Sequence, residues 1–229
     1  LIQVSQLVAE IPEVAELDIN PLWADASGVL ALDARLKVKP APAPAPRRLA
    51  IRPYPRRLEE TITFEGADIQ LRPIRPEDES AHREWFLKLY PEDIRFRFLG
   101  LLRELVPSEL ARFTQIDYER EMAFIATRLN EEGQPETLGV ARVATDPDNT
   151  TGEFAIIVRS DLKGMGLGSA LLEKLIRYCR ERGTSQIISR FLPENTRMIR
   201  LMQKFGFEIS EPNGDEVLDA HLDLSPPSA

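Results

Sequence analysis

The sequence predicts a mixed α/β domain with a single core over residues 61–229, preceded by a short N-terminal region (residues 1–38) and a proline-rich spacer (residues 39–60). Two observations support this fold class. Apolar runs typical of strands interleave with segments whose apolar residues recur every three or four positions, as in helices. In addition, a strand, a glycine-rich turn and a long helix follow one another directly within residues 153–182.

The composition excludes several classes of function. A net charge of −8 and a pI near 5.0 argue against nucleic acid or an anionic membrane as a partner. The single cysteine, Cys179, excludes an internal disulfide and a cysteine-based metal site, and it is expected in the core. His82 and His221 are far apart and form no metal-binding pattern. Neither a membrane span nor a signal peptide is recognisable, so we expect a cytoplasmic protein.

Residues 1–38 are predicted to form a short helix and two strands, Ala15–Ile19 and Val29–Val38, with a turn at Asp25–Gly28. A unit of this size cannot bury a core of its own. It either packs on the following domain or is the end of a domain that is missing. The chain also begins without methionine, so we expect it to be a fragment of a longer protein.

Residues 39–60 differ sharply in composition from their surroundings. Six of the 18 prolines lie between residues 40 and 55, where they first alternate with alanine. Such a sequence favours extended polyproline geometry and a semi-rigid spacer. Five arginines make the segment basic; a solvated linker explains them, and docking of a partner is the alternative.

From residue 61 onward the predicted order is two strands, two helices, three antiparallel strands, a helix, a strand, a helix and two strands. One helix is expected to start at Pro76 and another to use Ser108 as its N-cap. Glu92 and Asp93 are expected either to lie in a solvated turn or to attract a basic loop of the target protein. The predicted strands are Thr61–Phe64, Ile69–Arg75, Met122–Arg128, Thr137–Ala144, Glu153–Val158, Gln186–Leu192, Phe207–Ile209 and Val217–Leu224.

Three glycines at alternate positions, Gly164, Gly166 and Gly168, separate a predicted strand from the long helix. Such a turn directs backbone N–H groups and the positive end of a helix dipole at one point, which favours a phosphate. The pattern matches neither a P-loop, because no Gly-Lys-Ser/Thr closes it, nor the dinucleotide fingerprint. It fits a pyrophosphate held by backbone N–H groups, with Lys163 supplying charge. A tight turn that needs only small residues is the alternative.

Together these segments resemble the GNAT acyltransferases. The resemblance rests on Lys163–Gly168 after a strand, on Asn195–Phe207, and on the opening Ile69–Asp78. It covers about residues 65–224 and implies a central mixed sheet with flanking helices. It also implies that acetyl-CoA binds in a cleft where the parallel strands Glu153–Val158 and Gln186–Leu192 splay apart.

The resemblance further implies which residues contact acetyl-CoA. The pantetheine would bond to the backbone of Ile156, Ile157 and Val158. Asn195 would either contact the CoA arm or only cap its helix. No metal is implied. The pyrophosphate would lie on Lys163, Gly164, Met165, Gly166, Leu167, Gly168 and Ser169.

A second resemblance concerns Glu16–Leu22 and Leu32–Arg35, which are similar to the end of the ATP-grasp domain of NDP-forming acyl-CoA synthetases. Because nearly all of that domain is missing, we predict no nucleotide site. A synthetase-like region, a spacer and a GNAT domain form the layout of bacterial protein lysine acetyltransferases, which acetylate acyl-CoA synthetases in the cytoplasm. The resemblance therefore implies a protein substrate of that kind. Acetylation of a small amine and a non-catalytic acyl-CoA sensor are the alternatives.

The expected reaction needs a base, because a lysine amine has a pKa near 10.4 and must lose a proton before it attacks. Glu153, at the start of the strand that would hold the thioester, is the predicted general base. Its neighbours Phe154 and Ala155 are expected to provide an apolar setting that makes the carboxylate more basic. An ordinary strand-end glutamate is the alternative. Met202 stands where many GNAT enzymes carry a tyrosine that protonates the departing thiolate, so we assign no general acid.

Overall fold

The computed structural model describes residues 4–5, 7–8, 11–26, 28–40, 52–100, 105–210 and 217–225. The chain divides into two compact units, Leu1–Pro53 and Tyr54–Ala229. The division falls inside the predicted spacer, half of which, residues 41–51, lies outside the described residues.

The first unit contains two nested strand pairs. Strand β1 (Val14–Ile19) pairs with β4 (Ala34–Val38), and β2 (Leu22–Asp25) pairs with β3 (Gly28–Ala31), all antiparallel. The prediction of one strand over residues 29–38 was therefore wrong. The chain changes partner there, since β3 pairs with β2 as far as Ala31 and β4 pairs with β1 from Ala34. Between the two strands the N–H of Leu32 donates to the carbonyl of Pro21 at 3.0 Å.

The apolar side chains of this unit are largely exposed. Trp23 is 62% exposed and Leu30 is 61% exposed, whereas Val14 is buried. This agrees with the expectation that so short a unit buries little apolar surface. Residues 4–5 and 7–8 are helical as predicted, and the rest of that predicted helix lies outside the described residues.

The second unit is built on an eight-stranded sheet in the order β11-β12-β10-β9-β8-β7-β6-β5. Among the described strands, β9 and β10 form the single parallel pair. The strands are β5 (Glu60–Phe64), β6 (Ala67–Pro73), β7 (Glu121–Leu129), β8 (Pro135–Thr145), β9 (Thr151–Val158), β10 (Gln186–Phe191), β11 (Glu208–Ser210) and β12 (Leu218–Asp223).

Helices cover both faces of this sheet. α1 to α3 pack on one face around Ile125 and Val140, and α4 and α5 pack on the other around Phe124 and Phe154. Strands buried on both faces are expected to be continuously apolar, as β7 is from Met122 to Ala126. The helices are α1 (Glu79–Leu87), α2 (Pro91–Phe98), α3 (Pro107–Thr114), α4 (Leu167–Arg182) and α5 (Thr196–Lys204).

Two details of the helices differ from the prediction. Three helices, not two, separate β6 from β7 in the described structure, because residues 91–98 form α2. Arg95 and Arg97 interrupt the apolar spacing of α2, so the sequence pattern did not reveal it. Ser108 is not an N-cap either. Val106 precedes α3, and its N–H donates to Glu109 Oε2 at 3.1 Å.

The predicted splaying of the two parallel strands is confirmed. Pairing between β9 and β10 ends at Glu153 and Ile188. Beyond that point β9 stays paired with β8 as far as Val158, and β10 stays paired with β12 as far as Phe191. The sheet therefore opens between two strands that are each held from their outer side.

A buried ion pair fixes the connection from β6 to α1. Arg72 donates two hydrogen bonds to Asp78, at 2.8 and 2.6 Å, and both side chains are buried. Asp78 also accepts the N–H of Arg75 at 2.7 Å. Although burial opposes a charged guanidinium, the hydrogen bonds and charge of Asp78 raise the pKa of Arg72.

We expect Asp78→Ala to lower the free energy of unfolding by about 3–5 kcal/mol, because it leaves the Arg72 guanidinium buried without its partner. Urea titration followed by circular dichroism measures this loss. Glu79→Ala is the control, since it removes one partner of an exposed pair with Arg83 and is expected to cost less than about 1 kcal/mol. Similar losses in both variants would contradict the prediction.

Candidate functional site

A cleft of about 490 Å³ opens where β9 and β10 separate. Its walls are the residues of β9 from Ala155 to Val158, those of β10 from Ser189 to Phe191, the glycine turn, one side of α5 and one side of α2. The cleft brings together these predicted site residues: Ile156, Ile157, Val158, Lys163, Gly164, Gly166, Gly168, Ser169 and Asn195.

The backbone of β9 presents unpaired polar groups to the cleft. In an antiparallel ladder, residues alternate between positions that bond to the neighbouring strand and positions that point away from it. Arg159 donates its N–H to Leu138 at 2.8 Å, so Ile157 also bonds toward β8. Ile156 and Val158 therefore direct their N–H and C=O groups toward the side that β10 has left. Ile157 lines the cleft, but its backbone polar groups face β8.

The glycine turn leads directly into α4. Gly166 is the N-cap of α4 with φ of 98°, a left-handed conformation that favours glycine, and it has no side-chain cap. The first N–H groups of a helix have no partner inside the helix, and those of Leu167, Gly168 and Ser169 form no other backbone hydrogen bond with the residues that the structure describes. Unpaired N–H groups and the positive end of the α4 dipole thus lie at one end of the cleft.

Two predicted members of the pyrophosphate site contribute no side chain to the cleft. Leu167 is 1% exposed and packs in the core, so only its backbone remains available there. Met165 is 45% exposed and lies outside the cleft wall.

Lys163 is bound by a residue whose position the sequence did not reveal. Its Nζ forms an ion pair with Asp93, the third residue of α2. Asp93 Oδ2 accepts the hydroxyl of Ser160 at 2.5 Å, and Ser160 Oγ in turn accepts the N–H of Tyr90 at 2.8 Å. The expectation of a solvated turn at Asp93 was wrong, because the residue is buried in the cleft wall and joins α2 to the glycine turn.

α5 adds a row of positive charge that the sequence analysis missed. Arg197, Arg200 and Lys204 line the cleft, and their spacing of three and four residues, which places side chains on one helix face, was a usable signal. Lys204 Nζ donates to Ser169 Oγ at 3.1 Å. Asn195 caps α5, since its Oδ1 accepts the N–H of Met198 at 3.1 Å, and it also lines the cleft.

Glu153 is the last residue of β9 that pairs with β10, so it marks the end of the cleft where the two strands meet, which we call the closed end. Its side chain is exposed, so the predicted apolar setting was wrong. The cause is strand alternation. Phe154 points to the opposite face and into the core, whereas Glu153 shares its face with Ala155 and Ile157. On this face Glu153 lies beside Ala144 of β8, whose other neighbour is Glu121 of β7.

Two further residues have roles in the core. Cys179 is fully buried, and burial raises the pKa of its thiol to about 12, which supports the prediction of a core residue. Met202 is also fully buried in the core beneath α5.

Within the described ranges, no group of three or more His, Cys, Asp or Glu side chains is placed to hold a metal ion. No helix in the same ranges is long and apolar enough to cross a membrane.

Comparison with protein-family models gives two matches. The model described as the acetyltransferase (GNAT) family matches residues 81–207. The model described as the ATP-grasp domain matches residues 1–38.

Two curated relatives are informative. An acetyltransferase of Pseudomonas aeruginosa is 33% identical over 143 residues, which is 62% of this chain and 76% of the relative. An L-methionine sulfoximine/L-methionine sulfone acetyltransferase of the same species is 38% identical over 60 residues. That match covers 26% of this chain and 35% of the relative.

Solved structures share the fold of the second unit. The GNAT domain of S. lividans PAT superposes with a TM-score of 0.67 at 25% identity, covering 75% of this chain and 99% of that domain. RimL, a ribosomal L7/L12 alpha-N-protein acetyltransferase solved in complex with coenzyme A, gives a TM-score of 0.55 at 17% identity, covering 72% and 98%.

We expect Gly166→Ala to raise the dissociation constant of coenzyme A by about tenfold. A left-handed alanine costs roughly 1–2 kcal/mol, and relaxation of the turn would misalign the N–H groups at the start of α4. Isothermal titration calorimetry with coenzyme A measures the change. Gly133→Ala is the matched control, because Gly133 has φ of 76° in a turn that does not line the cleft. Equal affinities in the two variants would refute a ligand role for the glycine turn.

Proposed function

Because the chain belongs to the acetyltransferase (GNAT) family, we propose that it transfers an acetyl group from acetyl-CoA to the ε-amine of a lysine in a protein. The proposed target is an acyl-CoA synthetase, and the proposed location is the bacterial cytoplasm. Acetyl-CoA is the acyl donor of the family, and transfer to an amine is its reaction. The protein substrate and the mechanism are our proposal.

The observation that carries this proposal is the position of Glu153 where β9 and β10 stop pairing, two residues before the cleft wall begins at Ala155. Its carboxylate is exposed, so an amine that approaches from solvent can reach it. Such a carboxylate takes the amine proton directly or through one water molecule.

The residues of the cleft fit acetyl-CoA. The free backbone groups of Ile156 and Val158 suit the amide groups of a pantetheine arm, and the N–H groups at the start of α4 suit a pyrophosphate. Arg197, Arg200 and Lys204 add positive charge at the same end. Lys163 contributes charge there only in so far as it leaves Asp93.

The donor supplies an activated thioester when it is bound, and the protein supplies orientation and charge stabilisation. Ile156 offers a backbone N–H that is positioned on the thioester strand and can stabilise negative charge on a carbonyl oxygen. The side chains of Met202 and Cys179 are confined to the core, so we assign neither of them the role of a general acid.

Two similarities favour a protein substrate. The ATP-grasp model matches residues 1–38, which supports the layout of a synthetase-like remnant, a spacer and an acetyltransferase domain. The second unit also matches nearly the whole GNAT domain of S. lividans PAT. We propose no nucleotide site in residues 1–38.

A small-molecule amine is the second candidate acceptor. It is favoured by the relative that acts on methionine sulfoximine and methionine sulfone, although this chain covers only 35% of that protein. Incubation of the chain and acetyl-CoA with purified acyl-CoA synthetases, followed by mass spectrometry, tests the protein substrate. A panel of free amines under the same conditions tests the alternative. Turnover on free amines alone would refute the proposed target.

We expect Glu153→Gln to lower kcat by about 10²–10⁴-fold, because the amide cannot accept the amine proton. The dissociation constant of acetyl-CoA is expected to change less than about twofold, since the carboxylate lies outside the cleft lining. Release of the CoA thiol measures turnover, and calorimetry measures binding. Glu208→Gln, at an exposed glutamate of β11, is expected to behave like the wild type. Full activity of Glu153→Gln would exclude Glu153 as the base.

A further inference from the structure

The guanidinium of Arg97 has no counter-ion in the described part of the chain. Arg97 lies in the last turn of α2, is half-buried and lines the cleft. Its guanidinium lies 5.1 Å from the ring centroid of Phe98. Among the residues that the structure describes, none forms a hydrogen bond or an ion pair with it.

Other cations near Arg97 are bound. Lys163 is paired with Asp93, Arg95 is paired with Glu194 at 3.3 Å, and Arg142 is paired with Glu121. A half-buried cation without a partner is unfavourable unless a ligand supplies the opposite charge.

The charges facing Arg97 come from β7, β8 and β9. Burial and, to a smaller extent, the nearby Arg142 lower the pKa of Arg97 to about 10, whereas Glu153 and Glu121 act in the opposite direction. Glu121 is already bonded to Arg142, and Glu153 attracts Arg97 without forming an ion pair. Arg97 thus keeps free N–H donors beside the closed end of the cleft.

The direction of α2 separates Arg97 from the phosphate end. Asp93, in the first turn of α2, contacts Lys163 beside the glycine turn. Arg97 is four residues later on the same face of α2, one helical turn or about 6 Å further along, and interacts with Glu153. The side chain therefore lies at the reacting end of the cleft, where the acyl group and the acceptor are expected to meet.

We propose that Arg97 binds a carboxylate carried by one of the two reactants, next to the group that is transferred. A guanidinium holds a carboxylate through two parallel hydrogen bonds. The carboxylate belongs either to a dicarboxylic acyl group on CoA or to the acceptor, as an acidic residue beside the target lysine. The assignment to a reactant rests on the proposed acyl transfer, and the test below separates the two.

The variants are Arg97→Gln, Arg97→Lys and Arg95→Gln. The last is the matched control, because it removes the same charge from the same helix at a residue that is paired with Glu194 and does not line the cleft. Circular dichroism and thermal unfolding establish that all three variants are folded.

The donor arm measures binding and needs no turnover. Calorimetry compares succinyl-CoA with butyryl-CoA, which has an uncharged acyl group of the same carbon number. If the carboxylate is on the donor, Arg97→Gln weakens succinyl-CoA by about tenfold or more and butyryl-CoA by less than about twofold.

The acceptor arm uses acetyl-CoA and two lysine peptides that differ only by aspartate or asparagine next to the lysine. If the carboxylate is on the acceptor, Arg97→Gln lowers kcat/KM for the aspartate peptide by about tenfold or more and leaves the asparagine peptide nearly unchanged. Arg97→Lys is expected to restore part of the loss, since it keeps the charge but not the planar pair of donors.

A selective loss in either arm supports the proposal and identifies the source of the carboxylate. Equal losses for both members of each pair, or the same selectivity in Arg95→Gln, would overturn it. A wild type that binds acyl-CoA but transfers no acetyl group to any acceptor refutes the proposed function. The binding comparison of succinyl-CoA with butyryl-CoA then tests the role of Arg97 alone. Equal effects of Arg97→Gln on the two donors would overturn that role.

Discussion

The site depends on one constraint, which is that β9 and β10 stop pairing after Glu153 and Ile188. Buried backbone N–H and C=O groups must find partners, and each strand keeps only its outer one. β8 holds β9, and β12 holds β10, to the ends of these strands, so beyond this point each strand has a neighbouring strand on one side only. Ile156 and Val158 are left with polar groups that a ligand must satisfy. The cleft therefore offers hydrogen-bonding groups along one wall to an extended ligand, in addition to apolar surface.

The two ends of this cleft offer different groups to a ligand. At the glycine turn these are backbone N–H groups and the dipole of α4, with Arg197 and Arg200 adding charge. At the other end we propose that side chains, mainly Glu153 and Arg97, contact the reactants. A backbone site accepts any phosphate of suitable geometry, whereas a side-chain site can change its preference by single substitutions. In the proposed function the CoA part of the donor is therefore held by the fold, whereas the reacting groups meet a few side chains on β9 and α2.

The same distinction explains what the sequence could predict. The glycine turn and Cys179 in the core follow from local patterns, namely glycine spacing and helical periodicity, whereas the splayed strands were implied by the family resemblance. The missed features depend on tertiary contacts. α2 has a weak apolar pattern because Arg97 faces the cleft, and Asp93 is buried because Lys163 and Ser160 compensate its charge. The setting of Glu153 was misjudged because sequence neighbours in a strand point to opposite faces of the sheet.

α2 connects the two ends mechanically. Asp93 and Arg97 occupy the same face of one short helix, so a shift of that helix along the cleft moves both side chains together. Ser160 holds the first turn of α2, because its hydroxyl donates to Asp93 and its Oγ accepts the N–H of Tyr90, and neither of these bonds involves Lys163. α2 thus spans the cleft with two side chains one helical turn apart, Asp93 beside the glycine turn and Arg97 further along the wall.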